Sequence, residues 1–372
     1  MNILFDGQIF GLQRYGGISR YVVELTTALG RLPGVRAGIV APLHINALLA
    51  SAGETTSSPS WCVPTWRQNI RRTLSELMSE PQLAVRRCNI LHATYYLRRR
   101  RPFGATRLVV TVHDMIHELF PDSFRPDDPT RELKRAAVLA ADHVICVSEN
   151  TRQDLCRLLR VPIERTSVVH HGVAALSYVV DTGPPHLPDG LPYLLFVGSR
   201  GGYKNFSTLL RAVAGSPALR SRFRIAAFGG GPITRSEREE IAGLGLEADA
   251  VLHVVGDDAA LTATYRSAAC FVCPSCYEGF GMPLLEAMAA GCPVVSAGVS
   301  SLPEVAGPAA EYFDVNAKDA DLALAAAIGR VVDDSARHAE LIRMGRARAA
   351  TFTWRQTAIQ TLRSYQTALS GA

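Results

Sequence analysis

Short apolar runs, three to five residues long, alternate with segments of helical periodicity along almost the whole chain, and that rhythm leaves few folds open. Two parallel strands need a crossover of about a dozen residues between them, usually a helix, so repetition of strand and helix builds a parallel sheet covered by helices. Runs at 3–5, 38–41, 90–93, 108–112, 144–147 and 167–170 read as strands of a first sheet. Between the first two, Ile18, Tyr21, Val22, Leu25, Ala28 and Leu29 recur at helical spacing. Residues 176–192 then break the pattern with four prolines and two glycines, the composition of a connector. After it the rhythm resumes with strands at 193–197, 225–228, 251–255, 270–273 and 294–297, separated by helices near 205–214, 234–244, 258–268 and 283–290. The remainder, 319–369, is largely helical in pattern, and Trp354, Ile359, Leu362, Tyr365 and Leu369 are spaced to pack.

The fold class is therefore α/β, with two Rossmann-like, doubly wound domains at 1–180 and 193–350, a linker at 181–192, and a terminal helix at 351–372 placed to pack back on the first domain. Ligands of open α/β sheets bind outside the carboxyl ends of the strands, so two such domains are expected to face each other across a ligand-binding cleft.

A hydrophobic content of 48% with 20% charged residues excludes a disordered chain. No run approaches the roughly 18 apolar residues that cross a bilayer, and the first residues lack a basic region followed by an apolar stretch, so the chain reads as cytoplasmic. The net charge of +5 is uneven. Residues 1–180 hold 22 Lys and Arg against 15 Asp and Glu, and the remainder holds 17 against 19. Arg71-Arg72, Arg86-Arg87 and Arg98 to Arg101 supply much of the excess. That half is expected either to face anionic lipid headgroups or an acidic acceptor, peripherally on the inner face of a membrane, or to be a solvated face. No nucleic-acid partner is expected.

Of the eight cysteines, Cys270, Cys273 and Cys276 have compact spacing. The first two lie on a strand three residues apart and point to opposite faces, and no fourth ligand is evident. Reduced thiols and no metal are expected. The adjacent His170 and His171 diverge on an extended chain and lack a third ligand, and Asp257-Asp258 reads as a helix cap. Ser148 reads likewise as the cap of a helix beginning at Glu149.

The richest segment for chemistry is 274–295. Pro283 suits a first helical turn and Gly291 suits a helix end, so a glycine-flanked loop feeds a helix start. The backbone amides of Phe280, Gly281 and Met282 are then placed for a diphosphate, with Glu278 in the loop and Glu286 in the helix. A second loop, 198–205, leaves the first strand of the second domain and carries Arg200 and Lys204, the latter one of only three lysines, with Lys134 and Lys318. Gly16-Gly17 opens a helix after the first strand of the chain, and His113-Asp114 ends another strand.

With Glu278 and Glu286 separated by seven residues, with 255–258 and Leu261, Tyr265, Arg266 and Ala268 upstream and 300–305 downstream, the chain resembles glycosyltransferase family 4, the retaining enzymes of the GT-B fold. The resemblance covers nearly the whole chain. It implies that Glu278 contacts the donor sugar, Glu286 the ribose, and Lys204 and Arg200 the departing pyrophosphate. Gly16 and Gly17 would let the backbone approach donor phosphate and acceptor; His113 would contact the sugar or stabilise the transition state, with Asp114 helping on the acceptor side. One departure stands out. Ser199 and Tyr203 occupy places where members often carry arginine.

The resemblance implies a nucleotide-diphosphate sugar as substrate, no cofactor, and a saccharide or polyprenyl-linked saccharide acceptor, in bacterial O-antigen, capsule or exopolysaccharide assembly. The His113-Asp114 subtype, followed by Pro121, points to mannose from GDP-mannose. The alternatives are another donor of the UDP-glucose, GDP-fucose or dTDP-rhamnose type, a nucleotide-sugar epimerase, a phosphorylase, or a non-catalytic sugar-nucleotide binding protein.

Overall fold

Each strand identified by its apolar run is present, and each pairs in parallel with its neighbours. The computed structural model describes residues 1–51, 60–62, 78, 87–96, 105–173 and 190–371. The arginine runs at 71–72 and 98–101, Arg86, and most of the linker lie outside the described residues. The chain divides into two compact units, Met1–Gly172 with Thr353–Ala372, and Val173–Phe352.

Unit 1 is built on six parallel strands, β1 (Asn2–Asp6), β2 (Arg36–Val40), β3 (Cys88–Ala93), β4 (Ala105–Val112), β5 (His143–Cys146) and β6 (Thr166–Val168). Their order across the sheet is β2-β1-β3-β4-β5-β6, with Ile3 opposite Ile90 and Val110 opposite Val144. The period of two sorts the apolar side chains onto two faces. Ile3, Phe5, Val109 and Ile145 enter one core with Leu25 of α1 (Gly17–Gly30), while Leu4, Val110, Val144 and Cys146 enter the other. The second core lies under α2 (Thr130–Ala140) and α3 (Glu149–Leu159), through Val138 and Leu155. Ser148 caps α3 by accepting the Thr151 N–H at 3.0 Å.

Unit 2 repeats the plan with β7 (Tyr193–Val197), β8 (Arg224–Phe228), β9 (Val251–Val254), β10 (Cys270–Cys273), β11 (Val294–Ala297) and β12 (Glu311–Phe313), ordered β9-β8-β7-β10-β11-β12. Leu194, Leu195, Ala226, Val272 and Val295 are fully buried, as both faces are covered by helices. Those used below are α4 (Phe206–Gly215), α5 (Arg235–Gly243), α6 (Asp258–Ser267) and α7 (Met282–Ala290). Asp257 caps α6 through the Ala260 N–H at 2.9 Å. α8 (Ala320–Val332) and α9 (Ser335–Ala349) follow.

The last helix, α10 (Trp354–Ser370), belongs to unit 1, where Ala358, Tyr365 and Ala368 complete the core beside α1. Burying such side chains is worth roughly 1.5–3 kcal/mol each for the larger ones. All eight cysteines carry free thiols, and among the described residues no helix is long and apolar enough to cross a membrane.

Candidate active site

Two loops at the carboxyl ends of β7 and β10 carry Lys204 and Glu278, the candidate site residues of unit 2. The first leaves β7 through Gly198, whose φ of +122° lies where glycine is favoured. It ends at Asn205, a left-handed non-glycine residue at the start of α4. Asn205 donates to the Pro274 carbonyl at 3.1 Å, and the Cys276 N–H donates to the Tyr203 carbonyl at 2.8 Å, so the two loops are tied backbone to backbone. That tie sets Lys204 against Glu278.

The Lys204 ammonium donates to Glu278 Oε1 at 2.7 Å, and Ser275 donates to the same oxygen at 2.7 Å. The backbone of Glu278 is also held: its N–H donates to Ser300 Oγ at 3.0 Å and its carbonyl accepts from Ser301 Oγ at 2.8 Å. Ser300 itself is left-handed, with φ of +52°, a conformation that costs a non-glycine residue about 1 kcal/mol or more and persists where surroundings impose it. The side chains of Lys204 and Glu278 are 16% and 11% exposed. Burial would depress the Lys204 pKa, but the adjacent Glu278 carboxylate overrides it and holds the ammonium above its usual range.

Behind Glu278 the chain turns at Gly281, φ +92°, and enters α7 with Pro283 in its first turn and no side-chain cap. A Cβ at Gly281 would stand 3.0 Å from Leu302 Cδ2. Phe280 turns its ring inward against Phe352, centroids 6.0 Å apart, leaving its backbone rather than its side chain on the loop. Glu286 faces Tyr265 of α6, whose buried hydroxyl donates to Oε2 at 3.2 Å. Burial, then the Glu286 charge, push that phenol well above its normal pKa, so it remains a donor.

Arg200 is placed otherwise than the loop's sequence suggests. Its guanidinium donates to Glu237 Oε1 at 2.7 Å and to the carbonyls of Gly229, Gly231 and Pro232, and its side chain is 2% exposed. It braces the loop after β8 against α5 and is not brought together with Lys204 and Glu278. Burial would raise the Glu237 pKa, but Arg200 and Thr234 draw it down to about 2.

In unit 1, Gly16 and Gly17 open α1. A Cβ on Gly16 would meet only the movable end of the Gln13 side chain, and one on Gly17 would meet nothing within 4 Å, so a side chain at either position displaces no backbone of the protein. His113 follows β4. Its ring meets Tyr21 of α1 edge-on at 5.2 Å and stacks on His171 at 5.7 Å. Enclosure of the ring lowers its pKa to about 4, with Asp114 opposing and Lys134 adding. His113 is thus a neutral imidazole at physiological pH. The Asp114 carboxylate accepts the Ile116 N–H at 3.1 Å. Beneath lies a polar chain absent from the sequence reading. Tyr365 of α10 meets His92 Nδ1 at 2.6 Å, His92 Nε2 meets Thr111 at 2.9 Å, and Thr111 meets Tyr21 at 3.1 Å.

Ser275, Ser300, Ser301 and Tyr265 were not singled out from sequence for roles. The signal available was their place within three residues of a chosen glutamate or inside the segments flanking the pair.

The chain matches two family models, Glycosyltransferase Family 4 over residues 15–175 and Glycosyl transferases group 1 over residues 183–348. It is 31% identical over 281 residues to O-antigen chain mannosyltransferase B of Escherichia coli, covering 71% of each chain. Among solved structures it resembles sucrose-phosphate synthase from Thermosynechococcus elongatus, with TM-score 0.71, 24% identity and 100% of both chains covered. It also resembles Anabaena HepE in complex with UDP and glucose, with TM-score 0.72, 18% identity and 98% and 99% covered. The structural likenesses establish the GT-B fold. With a relative at this identity matched over most of its length, and with both units claimed by glycosyltransferase models, the chain belongs to glycosyltransferase family 4 and is a hexosyltransferase.

Proposed function

We propose that the protein transfers a hexose, with retention, from a nucleotide-diphosphate sugar to a saccharide acceptor, and that the donor is GDP-mannose. The observation that carries the reading is the 2.7 Å pair of Lys204 and Glu278 beside the uncapped start of α7. A helix start offers amides and a positive dipole end to phosphate. One N–H of the Lys204 ammonium is spent on Glu278, and its others suit phosphate oxygens. As the bond from the sugar carbon to the phosphate oxygen breaks, negative charge grows on the diphosphate, where a fixed cation is worth most. The acceptor oxygen bonds to that carbon from the same face, and its proton passes to the leaving phosphate.

Glu278, clamped on its backbone and on Oε1, holds donor sugar hydroxyls through its other oxygen. Glu286, steadied by Tyr265, holds the ribose. His113, neutral, hydrogen-bonds the reacting sugar, and Asp114 with Gly16 and Gly17 serves the acceptor side. The lysine and amides supply the charge stabilisation for which other transferases use a cation, so turnover is expected to survive EDTA.

Mannose and O-antigen or related polysaccharide assembly are supported by the name of the Escherichia coli relative, and a lipid-linked acceptor is the expectation carried over from the family resemblance. The basic excess of the first 180 residues supports peripheral attachment to anionic membranes. A UDP-glucose-type donor is the second reading, favoured by the fold-level likeness to HepE with UDP and glucose.

The test combines a thermal-shift screen of nucleotide sugars with calorimetry of the free nucleoside diphosphates. GDP-mannose is expected to raise the melting temperature most. Glu286→Ala should weaken binding of the diphosphate product, while Glu278→Ala should leave it nearly unchanged and lower turnover instead. A larger shift with a UDP sugar replaces the donor assignment, and equal loss of diphosphate affinity in both variants overturns the division of roles.

A further inference from the structure

The turn after β4 is held from beneath by a cation that the reaction above does not use. Lys134 lies on α2 with its side chain 1% exposed. Its Nζ donates to the Asp114 carbonyl at 2.9 Å and to Glu118 Oε2 at 2.8 Å, and stands 3.6 Å from Asp114 Oδ1. It also lies 5.7 Å from the centre of the Tyr96 ring. The Tyr96 hydroxyl in turn accepts the His113 N–H at 3.2 Å and donates to the Thr111 carbonyl at 3.4 Å. The amide that opens the His113-Asp114 pair and the carbonyl that closes it are therefore each fixed by one buried side chain, and those two side chains meet.

Stability alone is a poor reason for this arrangement. Taking an ammonium and a carboxylate out of water costs several kcal/mol per ion, and apolar side chains of similar volume often serve a core as well or better. Glu118, its side chain 3% exposed, leaves Oε1 without a hydrogen-bond partner among the described residues, so the pair is not even fully satisfied. What an ammonium supplies and a methyl group does not is a set of donors in fixed directions, here aimed at a backbone carbonyl and two carboxylates of one turn.

We propose that Lys134 is a positioning residue for sugar transfer, fixing the His113 imidazole at the end of β4 through the Asp114 carbonyl and Tyr96. The proposal rests on the reading that gives His113 a part in transfer, and the test separates the two. Lys134→Met alone strands a buried carboxylate and is expected to unfold or nearly so. Lys134→Met combined with Glu118→Leu removes both charges and keeps the volume apolar. Lys134→Arg keeps the charge but replaces a compact ammonium with a planar fork.

The first readout is NMR of protein labelled at histidine Cε1, near neutral pH. In the double variant, which melts cooperatively, the His113 signal is expected to move while that of His92 stays; His113→Ala identifies the signal by its loss. The second readout is turnover with whichever of GDP-mannose, GDP-fucose, UDP-glucose and dTDP-rhamnose the wild-type protein consumes fastest. There kcat should fall on the order of 100-fold in the double variant, as misplacement by about 1 Å does elsewhere, with donor KM little changed and Lys134→Arg in between. An unmoved His113 signal or a wild-type kcat in the folded double variant, or in Lys134→Arg should the double not fold, overturns the proposal. Full turnover in His113→Ala overturns the reading of His113 itself, whatever the Lys134 variants do.

Discussion

Lys204 and Arg200 are four residues apart on one loop and have opposite fates. Lys204 shares Glu278 Oε1 with Ser275, so that oxygen keeps a partner when the lysine is removed. Lys204→Ala is expected to lower turnover by about 100- to 1,000-fold and to shift the melting temperature little; initial rates and a thermal melt read both. Arg200 is the reverse case. Its loss leaves Glu237 with Thr234 alone and takes a donor from three carbonyls, so Arg200→Ala should cost about 2 kcal/mol of stability, seen as a lower urea midpoint, while surviving folded protein keeps its donor affinity. The placement of Lys204 and Glu278 on loops beside helix starts was legible because glycine and proline mark such places in the sequence. The engagement of Arg200 was not, because its partners lie 29 to 37 residues away, on the loop after β8 and on α5. No local pattern encodes that meeting.

Elements were legible where they are long and apolar. β7, β10 and β11 begin and end where the runs do, since strands buried on both faces are mostly apolar, with Ser296 of β11 an exception whose hydroxyl donates to the Ala297 carbonyl. β12 escaped because three residues, Glu311 to Phe313, are too few to show a pattern, and Glu311 is polar for a reason of its own, pairing with Arg330 and Arg337. α10 was legible as a helix from its apolar spacing, whereas its dependence on Tyr365 and His92 was not. One junction is unusually tight. A Cβ on Gly172 would stand 2.4 Å from the Trp354 nitrogen and 2.7 Å from the Thr353 carbonyl carbon, both backbone atoms that cannot swing away. Gly172→Ala is therefore expected to displace the start of α10 and cost unit 1 about 2 kcal/mol, measured by denaturant unfolding. An unchanged midpoint would show that the junction yields freely.

At the scale of the molecule, unit 1 holds His92 and His113 neutral. Burial, with His113 adding, lowers the pKa of His92 to about 3, and that of His113 falls to about 4, against an ordinary value of 6.5. As pH falls below 6.5 the unfolded chain takes up protons that the folded unit refuses, so the stability these groups contribute is complete above 6.5 and drains away from there down to about 4 for His113 and about 3 for His92. The slope is at most about 1.4 kcal/mol per pH unit for each histidine, and less for the partly exposed His113. All three tryptophans, Trp61, Trp66 and Trp354, fall in the ranges of unit 1. Urea midpoints followed by tryptophan fluorescence should drop over that window. A flat profile would mean that the histidines protonate without loss of the fold.

Unit 2, Val173 to Phe352, is written between the two pieces of unit 1. A ribosome therefore delivers all of unit 2 before it delivers α10, and with it Ala358 and Tyr365, which close the first core. The usual order of synthesis, in which the earlier domain finishes first, is inverted: unit 2 can complete its core on the nascent chain while Ile3, Phe5 and Leu25 wait for their last neighbours. The interval of greatest exposure to aggregation, and of greatest need for a chaperone, belongs to the part of the chain that was made first.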